Sequence, residues 1–187
     1  MLALADAVDD GRVPNTEIAL VVSDHAKAAG LQHAGERGLK TRAIERGGRS
    51  REEHDLAIVA ALHESGVEIV CLAGYMRLLS KYFIEAYRNR ILNIHPSLLP
   101  AFPGLAAQRQ ALEHGVKWSG CTVHFVDESL DGGPIIAQRI VPVLDDDTEE
   151  SLAGRILVEE HQLYPETVAL VVSGKYEVIG RRVLREL

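Results

Sequence analysis

The chain is organised around Ile91-Leu92-Asn93-Ile94-His95-Pro96-Ser97-Leu98-Leu99-Pro100, where one amide and one imidazole sit among apolar residues. Alternate side chains of a strand share a face. Asn93 and His95 therefore point the same way, at the place where Pro96 stops regular pairing. An imidazole takes up or gives a proton near neutral pH, and a neutral amide donates a hydrogen bond to a developing oxyanion. The pair suits attack on a carbonyl better than redox or phosphoryl chemistry. It has no nucleophile of its own, because Ser97 lies outside any Gly-x-Ser-x-Gly elbow. Direct transfer between two bound substrates is favoured over a covalent enzyme intermediate. The competing reading is a buried strand end with two satisfied polar groups.

Two more stretches could contribute. Leu130-Asp131-Gly132-Gly133-Pro134 is turn chemistry. A carboxylate held by such a turn and facing an imidazole would favour the charged ring and fix its orientation. Spacing alone does not bring Asp131 to His95. Thr122 and His124 alternate onto one face of a strand, and His124 by itself reads as a satisfied structural histidine. His25, His33, His54, His63, His114 and His161 form no metal-ligand spacing, and no Gly-x-Gly-x-x-Gly follows a strand. No metal is expected.

The elements that must position these residues follow from periodicity. Residues 1 to about 10 read as an amphipathic helix ended by Gly11 and Pro14. Glu17–Ser23, Lys40–Ile44 and Val67–Ala73 read as strands. Asp24–Gly38 reads as a helix, and Ser50 and Glu53 form a capping box for the helix running to Gly66. Gly74–Leu79 is a loop and Ser80–Tyr87 a short helix. Leu105–His114 is a further helix. Cys121–Val126 and Ile135–Val143 leave no room for a helix between them and should pair antiparallel. Asp147–Val172 is the longest helix, capped by Asp147 with Glu150, with Ala153, Ile156, Leu163 and Val168 on its buried stripe and Glu160 on the same stripe. An edge hairpin over 176–184 turns near Gly180.

The 187 residues suit one domain. A net charge of -7 argues against a general nucleic-acid or membrane surface. No apolar run approaches the ~20 residues of a membrane span, and no signal peptide opens the chain. Cys71 and Cys121 read as reduced core cysteines, which points to the cytoplasm. A homodimer is left open. The alternation of strands and helices gives an α/β class.

Four segments occur in order: Ala73-Gly74-Tyr75-Met76-Arg77-Leu78-Leu79, Leu92–Pro100, Gly120-Cys121-Thr122-Val123-His124-Phe125-Val126, and Leu130–Pro134. Together they resemble the phosphoribosylglycinamide formyltransferase family, folate-dependent enzymes of purine synthesis. The resemblance runs from Met1 to about Tyr176. It implies a three-layer Rossmann-like formyltransferase fold over residues 1–187, mostly parallel, with antiparallel strands near the C-terminus. It implies formyl transfer from 10-formyltetrahydrofolate to the amine of N1-(5-phosphoribosyl)glycinamide, by direct attack through a tetrahedral intermediate. Asn93 and His95 would stabilise the oxyanion, with protonated His95 as the proton donor, and Asp131 would support that protonation and help relay the amine's proton through water. Arg51, Met76, Arg77, Leu78, Leu79, Asn93, Asp127, Glu128, Ser129, Leu130 and Asp131 would meet the folate. Leu157, Val158, Glu159 and Glu160 would meet the ribonucleotide, with Glu160 accepting hydrogen bonds from ribose hydroxyls.

The family begins with a strand and a Gly-Ser-Asn type loop that holds the substrate phosphate. This chain begins at the following helix, so that strand and loop are expected to be missing from it. The alternatives are methionyl-tRNA or sugar-nucleotide formyltransferase, formyltetrahydrofolate deformylase, and a folate-binding protein without turnover.

Overall fold

The computed structural model describes residues 1–186. The chain divides into two compact units, residues 1–91 and 92–187.

In the first unit the order is α1 (Leu2–Asp9), β1 (Val21–Ser23), α2 (Ala29–Glu36), β2 (Thr41–Ala43), α3 (Arg51–Glu64), β3 (Val70–Leu72) and α4 (Lys81–Ala86). β1 and β2 pair in parallel, from Val21 opposite Thr41 to Ser23 opposite Ala43. These strands are shorter than the apolar runs that carry them. α2 starts five residues later than periodicity suggests, because Asp24 and its neighbours form a turn. The His25 N–H donates to Ser23 Oγ at 3.1 Å, and the Asp24 carboxylate takes Arg77 Nε at 2.6 Å.

The capping box of α3 is present as expected: Ser50 Oγ accepts from Glu53 N–H and the Glu53 carboxylate accepts from Ser50 N–H. The buried side of α3 carries two polar residues, His54 and Asp55. His54 Nε2 donates to the Ile44 carbonyl at 2.7 Å. Asp55 Oδ2 accepts from Ser80 N–H at 2.5 Å, and Ser80 Oγ in turn caps α4. Buried polar groups need such partners, and the Asp55–Ser80 bond ties the start of α4 to α3.

The second unit contains β4 (Ile91–His95, whose first residue belongs to the first unit), α5 (Ala107–Glu113), β5 (Trp118–Phe125), β6 (Ile135–Pro142), α6 (Glu149–Ser173), β7 (Tyr176–Ile179) and β8 (Arg182–Arg185). Its strands lie in the order β4-β5-β6-β8-β7. β4 and β5 are antiparallel, with Asn93 opposite His124 and His95 opposite Thr122. β5 and β6 form the expected antiparallel pair. β6 and β8 are parallel, and β7–β8 is the expected hairpin. Antiparallel pairing thus begins one strand earlier than the sequence suggests. The connection from His95 to Trp118 leaves and re-enters at one end of the sheet, so no crossover helix is required.

α6 buries Leu152, Ile156, Leu163, Tyr164, Val168 and Val171, while Ala153 is only half-buried. Its cap differs from the expected Asp147 with Glu150. Thr148 and Ser151 form the capping box. Asp147 is occupied by the Arg155 guanidinium at 2.8 Å, which holds its carboxyl well below the usual range.

The loop after β4 is fastened to β5 by one buried hydroxyl. Thr122 Oγ1 donates to the Ser97 carbonyl at 2.7 Å and accepts from Leu99 N–H at 3.0 Å. Gln138 Nε2 donates to Thr122 Oγ1 and to the Leu99 carbonyl, both at 2.9 Å. Thr122→Val removes this hub and strands buried partners, so unfolding stability should fall by about 1–3 kcal/mol in urea denaturation. A change below about 0.5 kcal/mol, the range of an ordinary surface substitution, would show that the hub does not anchor the loop.

Candidate active site

β4 delivers Asn93 and His95 to one face, and β5 delivers Thr122 and His124 opposite them. His95 is buried, with both ring nitrogens directed at oxygen atoms. Nε2 lies 2.9 Å from the Phe102 carbonyl. Nδ1 lies 3.4 Å from Asp131 Oδ2. An imidazolium, carrying N–H at both positions, satisfies both acceptors, whereas a neutral ring serves only one. Asp131 Oδ2 also accepts from Gly104 N–H at 2.7 Å. Its other oxygen is 3.8 Å from His124 Nε2. Asn93 Nδ2 is 3.3 Å from the same His124 nitrogen. The structure therefore brings Asn93, His95 and Asp131 together, as the resemblance implies, and adds His124.

The turn carrying Asp131 is shaped by what a Cβ would strike. At Gly133 a Cβ would run into the Phe125 carbonyl, and at Gly132 into Ser129 Oγ. Asp131 itself is in the left-handed region at φ 47°, a conformation aspartate tolerates better than most side chains. The Phe125 N–H donates to the Pro134 carbonyl at 2.9 Å, closing the hairpin beneath the turn. Asp127 Oδ1 accepts from Ser129 N–H at 2.8 Å, an Asx turn that folds Asp127, Glu128 and Ser129 compactly. Leu130 is exposed and lies over Gly104.

The other sequence-identified residues fall elsewhere. In the first unit, Arg46, Arg51, His54, Asp55, Tyr75, Arg77 and Leu78 line a cleft. Burial pushes the Tyr75 phenol up to about 12. Met76 is fully presented to solvent at 76 % exposure, and Leu79 is half-buried. In the second unit, Leu157 and Val158 are exposed. The Glu159 carboxylate is taken by Arg139 at 3.1 Å. Glu160 is largely buried, and loss of solvation pushes its carboxyl up to about 7. It lies near Cys121, on the opposite side of β5 from Thr122 and His124, so the structure does not place it in the Asn93–His95–Asp131 cluster. Burial pushes the Cys121 thiol up to about 12, which makes it a poor nucleophile. Among the described residues no group of three His, Cys, Asp or Glu side chains is placed to hold a metal ion. No helix among them is long and apolar enough to cross a membrane.

Sequence reasoning did not find the backbone partners Phe102 O and Gly104 N–H, and it assigned His124 to structure. Only the pairing register, which sets His124 opposite Asn93, could have signalled its role.

The chain belongs to the formyl transferase family, whose model matches residues 2–168. Phosphoribosylglycinamide formyltransferase of Escherichia coli is 40% identical over 177 residues, covering 94% of this chain and 83% of that protein. The crystal structure of glycinamide ribonucleotide transformylase 1 from Symbiobacterium toebii superposes with a TM-score of 0.96 at 52% identity, over 98% of this chain and 86% of that one. The trifunctional purine biosynthetic protein adenosine-3 of Drosophila pseudoobscura is 47% identical over 92% of this chain, which spans 13% of that protein's length. The formyltransferase fold, with sheet and helices in an α/β arrangement, is shared with that crystal structure.

The raised carboxyl of Glu160 sets a pH dependence. A carboxyl that holds its proton more tightly when folded contributes stability fully below its ordinary value, and loses it as pH rises through the folded value. Relative to Glu160→Gln, the protein should lose thermal stability as pH rises from about 4.5 to about 7, with no further change above. A melting difference between the two that stays constant across this window would contradict the burial of an ionisable Glu160.

Proposed function

We propose that the chain transfers a formyl group from 10-formyltetrahydrofolate to the amine of N1-(5-phosphoribosyl)glycinamide, in the purine pathway. The observation that carries this reading is the meeting of Asn93, His95 and Asp131 in one buried cluster. The family match, which runs across both units, supports residues 1–187 acting as one formyltransferase domain. Relatives at 40% identity or more bear the names of the glycinamide enzyme or the trifunctional purine protein, which favours this acceptor over the other acceptors of the class. Cys71 and Cys121, read as reduced thiols, fit a cytoplasmic setting.

The chemistry is acyl transfer without an enzyme-bound intermediate. The acceptor amine adds to the formyl carbon, and the carbonyl electron pair moves onto oxygen. That oxyanion takes an N–H from Asn93 Nδ2 and one from His95. In the resting arrangement His95 Nε2 is given to the Phe102 carbonyl, so the substrate oxygen takes the place of that carbonyl. Asp131 stays at Nδ1, where its carboxylate pairs with the protonated ring and holds its orientation. The amine's surplus proton leaves through water beside Asp131. The tetrahedral centre then collapses and the bond to the carrier nitrogen breaks; protonated His95 gives that nitrogen its proton, as a general acid, and the proton released by the amine returns to the ring through water.

The folate is assigned, as the family resemblance implies, to Arg51, Met76–Leu79, Asn93 and the 127–131 turn. The guanidinium groups of Arg46, Arg51 and Arg77 in the first-unit cleft suit an anionic group. The ribonucleotide is assigned to Leu157–Glu160, where Glu160 is the carboxylate not already committed to Arg139.

Formyl transfer by the purified chain, followed with both substrates, tests the reading. His95→Ala should lower turnover by about 10²–10⁴-fold, the range for a lost general acid, while folate affinity changes little. Turnover close to that of the wild type would remove His95 from the mechanism, and folate binding by the wild type without any transfer would remove the enzymatic reading.

A further inference from the structure

We propose that His124 is a positioning residue that sets which way the Asn93 amide faces; this rests on the formyl-transfer reading above. His124 is buried on β5, directly opposite Asn93 in the register. The ladder between β5 and β6 shifts register between Val123 and His124, and such irregularities re-aim a side chain.

The two ring nitrogens of His124 have different partners. Nδ1 is 2.9 Å from the Phe125 carbonyl. A carbonyl can only accept, so Nδ1 carries a hydrogen. Burial disfavours the charged ring and lowers its pKa, against the opposite pull of the Phe125 carbonyl, Asp131 and Asp127; charge on His95 adds to the lowering. The ring is therefore neutral at neutral pH, with its only hydrogen on Nδ1 and a lone pair on Nε2.

That lone pair decides the amide. Nε2 is 3.3 Å from the terminal atom of Asn93, and only an N–H can meet it. The flipped amide would set a carbonyl oxygen against the lone pair. Asp131 Oδ1, 3.8 Å from Nε2, is a further acceptor that offers Nε2 no hydrogen. Asn93 is thus held with Nδ2 towards His124. Its second N–H remains for the substrate oxygen, which is what oxyanion stabilisation requires. A flipped Asn93 would present an acceptor to a developing negative charge.

Three substitutions separate positioning from packing. His124→Phe keeps a ring and removes the acceptor. His124→Gln is long enough to place an amide oxygen at the former Nε2. His124→Asn can replace only the bond to the Phe125 carbonyl. Turnover, folate affinity and folding by circular dichroism are measured for each. The expected result is a fall in kcat of about 10–100-fold for His124→Phe and for His124→Asn, short of the full loss of an oxyanion donor. Folate affinity should be nearly unchanged, and His124→Gln should recover most of kcat. In an Asn93→Ala background, His124→Phe should cost little more, because its effect passes through Asn93. A kcat restored by Asn and not by Gln, or an equal loss from His124→Phe with and without Asn93, would overturn the proposal. If His124→Phe does not fold, the contrast between Gln and Asn decides alone. A wild-type chain that transfers no formyl group removes the functional reading and this inference with it; an active wild type with unimpaired variants removes this inference only.

Discussion

The candidate site depends on one carboxylate held in two directions. Asp131 accepts from Gly104 N–H at 2.7 Å with the same oxygen that faces His95 Nδ1 at 3.4 Å. It thereby ties the loop after β4 to the turn between β5 and β6. The loop brings Phe102 O to the other side of His95, and the turn is kept close by Gly133, where no Cβ fits against Phe125. The imidazole is consequently clamped between a carbonyl and a carboxylate, in a pocket with little solvent to weaken either contact. Thr122 secures the same loop from β5. The site's geometry is thus an outcome of a few buried polar contacts made by residues whose own backbones are strand or tight turn.

Much of this was legible in the sequence because the informative residues use local rules. The capping box at Ser50 and Glu53, the shared face of Asn93 and His95, and the turn at Asp131-Gly132-Gly133-Pro134 need only neighbours within a few positions. The rest depends on partners far along the chain. Phe102 and Gly104 contribute backbone atoms, which leave no side-chain signature. His124 acquires its role only through register with β4, and a lone histidine between apolar residues looks the same in either role. The α6 cap illustrates a different limit. Asp147 and Glu150 fit the pattern as well as Thr148 and Ser151, and the tie is broken by Arg155, which claims Asp147.

The two units contribute differently to the functional reading. The second holds the polar cluster that resembles an acyl-transfer centre, together with Glu160, whose burial sets it apart from the other carboxylates of α6. The first holds a cleft rich in guanidinium groups, with the buried His54 and Asp55 among its lining residues. The chain belongs to the formyl transferase family, and the relatives' names narrow the proposed acceptor to glycinamide ribonucleotide.

On the proposed function, the negative charge of Asp131, and not merely its shape, prepares His95 for transfer. The most direct measurement is the single-turnover rate of formyl transfer by Asp131→Asn, which keeps an acceptor for Gly104 N–H and removes the charge. The expected result is a fall of about a hundredfold or more, the scale on which acid–base catalysis operates, with the protein still folded. A rate within about threefold of the wild type, small beside the 10²–10⁴ expected of that catalysis, would contradict it.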